Sequence, residues 1–300
     1  MDSPASDLPV VSAPPAPFPP VADLEETAPA KASARRWNIP LTLGIAMLTA
    51  AVLLSAALPL LTSYSPFEMA DASLSRPSFV HPLGTDQLGR DNFARVLYAT
   101  RVSLVISVLT MAIAFLSGTA LGVASGFWSG LVDAVLMRLL DILQAFPPLL
   151  LAITFVAVLG PSLTNLVLTM GILFLPRFAR VARASTLSVR ERDYVAAAVA
   201  LGVSDVRNIM RHILPNIATP LIVEMSLTMT LALLTEAALS FLGLGVQPPF
   251  PTWGGMIAAS TSVMTLAPWL ALAPGLAIMF VVLALLLIGD GLRDVLDPKL

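Results

Sequence analysis

The side chains able to do chemistry are few and widely separated. Glu224 and Glu236 stand inside a long apolar run, twelve residues apart. At about 100° per residue that spacing leaves about 120° between them, so they need not share a helix face. A carboxylate at the centre of a membrane helix costs about 2.5–3.5 kcal/mol on the insertion scale, so each must face protein or water. They are candidates for lining a pathway, where a carboxylate meets a cationic group of a substrate or a partner subunit. The plainer reading is a structural pair with an arginine or a backbone donor. His81, Asp86 and Asp91 supply imidazole and carboxylate groups of the kind that bind cations. A Gly- and Asp-rich stretch of this kind, with Gly84 and Gly89, is more often a turn and helix cap. Arg90 then pairs with its neighbour Asp91, and the segment works as an outer gate or docking surface. Asp133, Arg138 and Asp141 form a third group, in which the three-residue spacing of Arg138 and Asp141 allows a pair along one helical face.

What is missing excludes most catalysis. There is no cysteine, so no thiolate nucleophile, disulfide or thiolate metal site. The two histidines lie far apart, and no nucleophile and base stand together. The lysines are Lys31 and Lys299, neither in a phosphate-cradling P-loop. If ATP drives this protein, another polypeptide binds it.

The elements that must position these residues are membrane helices. The chain has 300 residues, 57% hydrophobic and 12% charged. Soluble domains carry about 25% charged residues. The net charge of −2 argues against nucleic acid as a partner. Runs long enough to cross about 30 Å of hydrocarbon lie at about 39–61, 101–125, 134–159, 162–183, 213–240 and 267–289. The third contains Pro147-Pro148, which should kink it. An all-α integral membrane protein with six transmembrane helices is expected, since helices satisfy their own backbone in lipid. The span from Ala237 to Gly289 carries no charge, and its middle, GLGVQPPFPTWGGM, is too broken by Pro and Gly to cross and is expected as an outer loop.

Thirteen of the seventeen basic residues fall on one side if both termini are cytoplasmic, leaving Arg76, Arg90, Arg95 and Arg101 outside. Residues 1–34 are rich in Pro and Ala with no helical period, and read as a disordered cytoplasmic tail before a membrane domain over 35–300. That domain carries an external segment at about 62–100 and a cytoplasmic connection at about 184–216. The connection contains YVAAAVALGVSDVRNIMRHILPN from Tyr194 to Asn216. Its helical first half breaks at Gly202, restarts at Ser204-Asp205 and is expected to stop at Pro215. Two short arginine-rich helices result, and the pattern alone leaves open whether they only anchor the bundle to anionic headgroups.

The same stretch resembles the "EAA" loop of importer-type ABC permeases, in which E-A-A is followed after three residues by G and after nine more by I-x-L-P. Ala197, Ala198, Gly202, Leu214 and Pro215 fall on that pattern; Ala196 stands where the family usually has Glu, and His212 where it often has Ile. HPLGTDQLGRDNFARVLYATRVSL at 81–104 is similar to the segment before the second span in one permease subunit of dipeptide, oligopeptide and nickel importers. FLGLGVQPPFPTWGGM at 241–256 and DAVLMRLLDILQAFP at 133–147 extend the resemblance over roughly residues 40 to 297.

The resemblance implies the type I ABC importer permease fold in the bacterial inner membrane, with membrane lipid around it. Expected partners are a second homologous permease subunit, two cytoplasmic ATPase subunits holding ATP and Mg, and an extracytoplasmic substrate-binding protein. No cofactor is expected in this chain. Tyr194 to Asn216 would be the coupling helix region, seated in a groove of the ATPase. Peptide, nickel and glutathione importers share these motifs, so the cargo stays open at this point. An ion-gradient-driven secondary transporter is the competing class, but no inverted repeat is visible.

Overall fold

The computed structural model describes residues 38–296; the Pro/Ala-rich tail, Lys31, Arg35, Arg36 and Lys299 lie outside them. Among the described residues every regular element is helical, apart from isolated bridges between Met69 and Arg90 and between Thr85 and Asp91. In chain order the helices are α1 (Ile39–Ala56), α2 (Leu58–Leu61), α3 (Asn92–Trp128), α4 (Gly130–Gln144), α5 (Pro148–Leu159), α6 (Leu163–Arg190), α7 (Asp193–Ala200), α8 (Asp205–Asn208), α9 (Leu214–Phe241), α10 (Trp253–Ser260) and α11 (Trp269–Leu296).

Five helical bodies are long and apolar enough to cross a membrane, and α4 with α5 makes a sixth if counted as one broken span. The expected kink there is an 86° bend. Its cause is local: the residue before a proline is driven out of the α region, and Pro147, preceding Pro148, sits at φ −55°, ψ 127°. One helix therefore ends and a second begins with Pro148 at its first position. The second span also starts earlier than hydropathy suggests, because Asp91 caps α3 by accepting from Ala94 N at 2.7 Å. Asn38 and Ser162 cap α1 and α6 in the same way.

The bundle is organised on α3 and α6, which pack along most of their length. Gly118, Gly122 and Gly126 recur every fourth residue on α3 and face α6. A Cβ on Gly118 would come within 2.8 Å of Phe178 Cβ, and one on Gly126 within 2.8 Å of Thr186 Cβ. Lipid tails are as apolar as leucine, so close backbone approach and dispersion, not water exclusion, hold such a seam. The small-residue stretch at 118–122 is thus a packing element, as its composition suggests. Around the seam Ile106, Ala114, Met170 and Phe178 form the buried core, with Phe115 edge-on to Phe178 at 5.6 Å. On the other side of the bundle α11 packs against α1 and α9, and Asn38 Nδ2 donates to Gly291 O at 2.9 Å.

The 241–256 stretch is more than a loop. It carries the start of α10, which packs on α9 and α11, and its Trp253 is fully buried with Nε1 donating to Val96 O at 3.3 Å.

Candidate functional site

The connection between α6 and α9 is built from two helical pieces and one sharp reversal. α7 ends in a Schellman motif: Val203 N donates to Ala198 O at 3.1 Å and Gly202 N to Val199 O at 3.0 Å. The motif needs a left-handed residue, and Gly202 has φ +77° with open space where a Cβ would be. Ser204 then occupies the N-cap of α8, though its hydroxyl makes no capping bond. Asp205, read as part of that start signal, instead accepts from Trp128 Nε1 at 3.0 Å. That bond ties the connection to the last residue of α3.

Pro215 does not stop the helix. Ile209–Ile213 form a π-helical turn and the chain runs on into α9, with Pro215 in its first turn. Pro215 has no N–H to give and its ring would collide with the carbonyl of Arg211 in α geometry, so the preceding turn widens, Leu214 N reaching back to Ile209 O. The helix from Asp205 to Phe241 is therefore one continuous body. A displacement applied at α8 acts directly on the span that holds Glu224 and Glu236.

Val195, Ala198, Asn208 and Ile213 turn inward, while Tyr194, Ala197, Val199, Leu201, Val206 and Met210 are exposed, Leu201 at 84%. The Tyr194 and His212 rings lie 6.0 Å apart, and Asn216 Nδ2 donates to His212 O at 2.7 Å. The connection thus exposes apolar side chains together with Arg192, Arg207 and Arg211.

The segment before α3 is held by its own carboxylates. Buried His81 meets Asp91 through Nδ1 at 2.8 Å, and its ring stacks near Tyr64 at 4.6 Å. Arg90 does not pair with Asp91: it bonds Asp86 Oδ2 through Nε at 2.7 Å, while Asp86 Oδ1 accepts from Leu88 N and Arg90 N. The reason is that Asp91 is already committed to His81 and to the α3 cap. Gly84 and Gly89 sit at φ +66° and +71°, as the turn reading requires. Among the described residues no group of three His, Asp or Glu is placed to hold a metal ion. Gln87 Nε2 donates to Ala259 O at 2.6 Å, joining this segment to α10.

Within the bundle α6 is the source of positive charge. Arg177, Arg180 and Arg183 recur every third residue and reach carboxylates on neighbouring helices. Arg183 makes a two-pronged pair with Asp133 at 2.5 and 2.6 Å, supported by Ser125 Oγ. Arg180 reaches Asp141 at 2.8 Å, so Asp141 does not pair with Arg138, which is exposed and makes no ion pair among the described residues. Helical spacing allowed the Arg138–Asp141 pair, but α4 lies against α6 and the cross-helix partner wins. Asp133→Ala is expected to lower stability by about 1–3 kcal/mol, between the exposed and buried limits for an ion pair. Thermal unfolding of detergent-purified protein checks this, and Arg183→Ala added to Asp133→Ala should cost little more.

Glu224 lies 3.6 Å from Arg177 through Oε1, which also accepts from Thr228 Oγ1 at 3.0 Å. Glu236 is enclosed within the bundle, with Ser240 Oγ donating to Oε1 at 2.7 Å. The two are not brought together, and only Glu224 reaches a surface. Arg177 is the residue that sequence reasoning missed, having been counted with the basic connection; its place directly after the apolar run 163–176, ahead of Arg180 and Arg183 on the same helix, was the available signal.

Residues 118–300 match the family described as binding-protein-dependent transport system inner membrane component. The chain is 44% identical to the dipeptide transport system permease protein DppC of Alkalihalophilus pseudofirmus, over 86% of this chain and 85% of that one. It is 44% identical to the glutathione transport system permease protein GsiD of Pectobacterium atrosepticum over 75% of this chain and 74% of that one. Identity to the di/tripeptide transport system permease protein DppC of Pseudomonas aeruginosa is 43%, over 81% and 82%. With its helical architecture and family match, the chain belongs to the binding-protein-dependent transport system inner membrane components, as a multi-pass permease of the inner membrane.

Proposed function

We propose that this permease serves an ATP-driven importer of di- or oligopeptides, with both termini cytoplasmic. The observation that carries the coupling part is the α7–Gly202–α8 connection: it exposes apolar side chains and arginines, and from Asp205 it continues without a break into α9. Such a surface suits the groove of an ATPase subunit, and a rigid continuation transmits a push. The peptide part is supported by the names of the DppC relatives. Glutathione, itself a tripeptide-like molecule, is the second reading, favoured by the GsiD relatives.

In this reading two ATPase subunits bind ATP and Mg outside this chain and close on each other. Their closure moves the coupling helices of this permease and of a second, related one. The two bundles rock to the outward-facing state and receive cargo from a binding protein, which docks on the 62–91 segment and α10. Hydrolysis resets the bundles. This chain breaks no bond; its contribution is a difference in contact between two packed states.

Tagged purification from native membranes, with mass spectrometry of what co-elutes, tests the assembly. A second permease and ATPase polypeptides are expected. Isolation of the chain alone, still competent for uptake, would contradict the reading.

A further inference from the structure

A cleft of about 590 Å³ opens between α4, α5, α6 and α9. Its wall is mostly apolar, with Leu173, Phe174, Leu231 and Leu234 among the lining side chains, and Gln144, Arg177 and Thr235 supply polar groups. Arg177 lies midway along α6, about 21 Å from its first residue at 1.5 Å per residue. It follows the apolar run 163–176 and is itself followed by Arg180, Arg183 and Arg190 on the same helix. Its side chain is 44% exposed, against 16% for Glu224.

The pair between them is loose. The closest approach, 3.6 Å, is longer than a charge-assisted hydrogen bond, and the shared oxygen of Glu224 is also held by Thr228. Arg180 and Arg183, one and two turns further along α6, are by contrast bound to carboxylates at 2.8 and 2.5 Å. Arg177 therefore keeps donors free toward the cleft, in an apolar setting where an unpaired guanidinium is costly. A planar donor fork with open positions suits a carboxylate.

We infer that this cleft is a subsite of the translocation pathway in which Arg177 binds the C-terminal carboxylate of a passing peptide. The apolar wall takes side chains of differing shape, which fits a route shared by many peptides. Glu224, displaced from Arg177, can face a cationic group of the same cargo. The inference rests on the peptide-importer reading above.

The test uses the purified complex in nanodiscs and a tritiated tripeptide with a central benzoyl-phenylalanine. One form has a free C-terminal carboxylate and the other a C-terminal amide. On illumination the acid form should label α6 and α9 around the cleft. Arg177→Gln should reduce that labelling by about tenfold or more, as expected for a lost charge-assisted bond. Arg177→Lys should retain most of it, and the amide should label weakly whether or not Arg177 is present. Equal labelling by acid and amide, or an Arg177→Gln complex labelled like the unaltered one, overturns the subsite. Loss of the second permease from the Arg177→Gln complex assigns the residue to subunit contact and also overturns it. ATP-driven uptake of the acid form is measured in parallel on the unaltered complex in proteoliposomes. Absence of uptake sinks the peptide reading and this inference with it, whereas normal uptake with unchanged labelling sinks this inference alone.

Discussion

Deleting residues 203–211 should reduce ATP-driven uptake by about a hundredfold, the upper range for losing one coupling between two sites, while the protein still inserts in the membrane. The segment holds α8 and most of the π-helical turn, and its Asp205 is the residue bound by Trp128. None of it belongs to the α3–α6 seam. A sharper version changes one residue. Gly202 sits at φ +77°, and its missing Cβ would touch nothing within 4 Å. Gly202→Val is therefore penalised only by backbone geometry, about 1–2 kcal/mol for a residue forced left-handed. That is enough to unwind the Schellman motif and turn α7 away from α8, and an uptake loss of about tenfold is expected. Gly202→Asn, which tolerates the left-handed region, should transport nearly normally. Transport assays at matched membrane abundance decide it. Full uptake by a well-inserted deletion protein would remove the coupling role from this connection.

The second large effect is structural. At Gly122 a Cβ would collide with the carbonyl oxygen of Ala179 and come within 2.7 Å of Ala182 Cβ. The obstruction is helix backbone, which cannot swing aside as a side-chain tip can. Overpacking a core typically costs about 1–3 kcal/mol, and a clash against backbone belongs at or above the top of that range. Gly122→Leu should force α3 from α6 and abolish a monodisperse peak on size-exclusion chromatography. Gly275→Leu makes the control, since nothing lies within 4 Å of the Cβ position on α11. A Gly122→Leu protein as stable as the Gly275→Leu protein would mean that the seam does not hold the bundle.

Local features were legible in the residues, because each is written within a few positions of itself. Asp91 reads as a cap and is one; Gly202 reads as a break and has the left-handed backbone that a break needs. Six apolar runs announced the spans, and the motifs around Gly202 and Asp86 pointed to the family that the comparisons then gave. Pro147-Pro148 announced a break in the third run, but hydropathy reports composition and not direction, so it could not give the 86° angle.

Pairing between helices was the least legible level. Periodicity tells which residues share a face, not which neighbour that face meets. Arg138 and Asp141 satisfied the spacing rule, yet Asp141 went to Arg180. Arg90 went to Asp86 because the nearer carboxylate was occupied. Pro215 looked like a stop when judged by its own backbone, but a π turn absorbed its missing donor and let the helix continue. The same blindness hid Arg177: a basic residue near a basic connection is counted for topology, and only tertiary structure places it in a cleft.

On the function proposed above, this permease works in an importer powered by ATP. The direct measurement is uptake of a labelled dipeptide into proteoliposomes holding the complete complex and its binding protein, with and without ATP and with ionophores that collapse ion gradients. Uptake is expected to require ATP on the ATPase side and to be unchanged by ionophores. Uptake that proceeds without ATP and disappears when the gradients are collapsed would contradict the proposed function, and would make the protein a gradient-driven transporter.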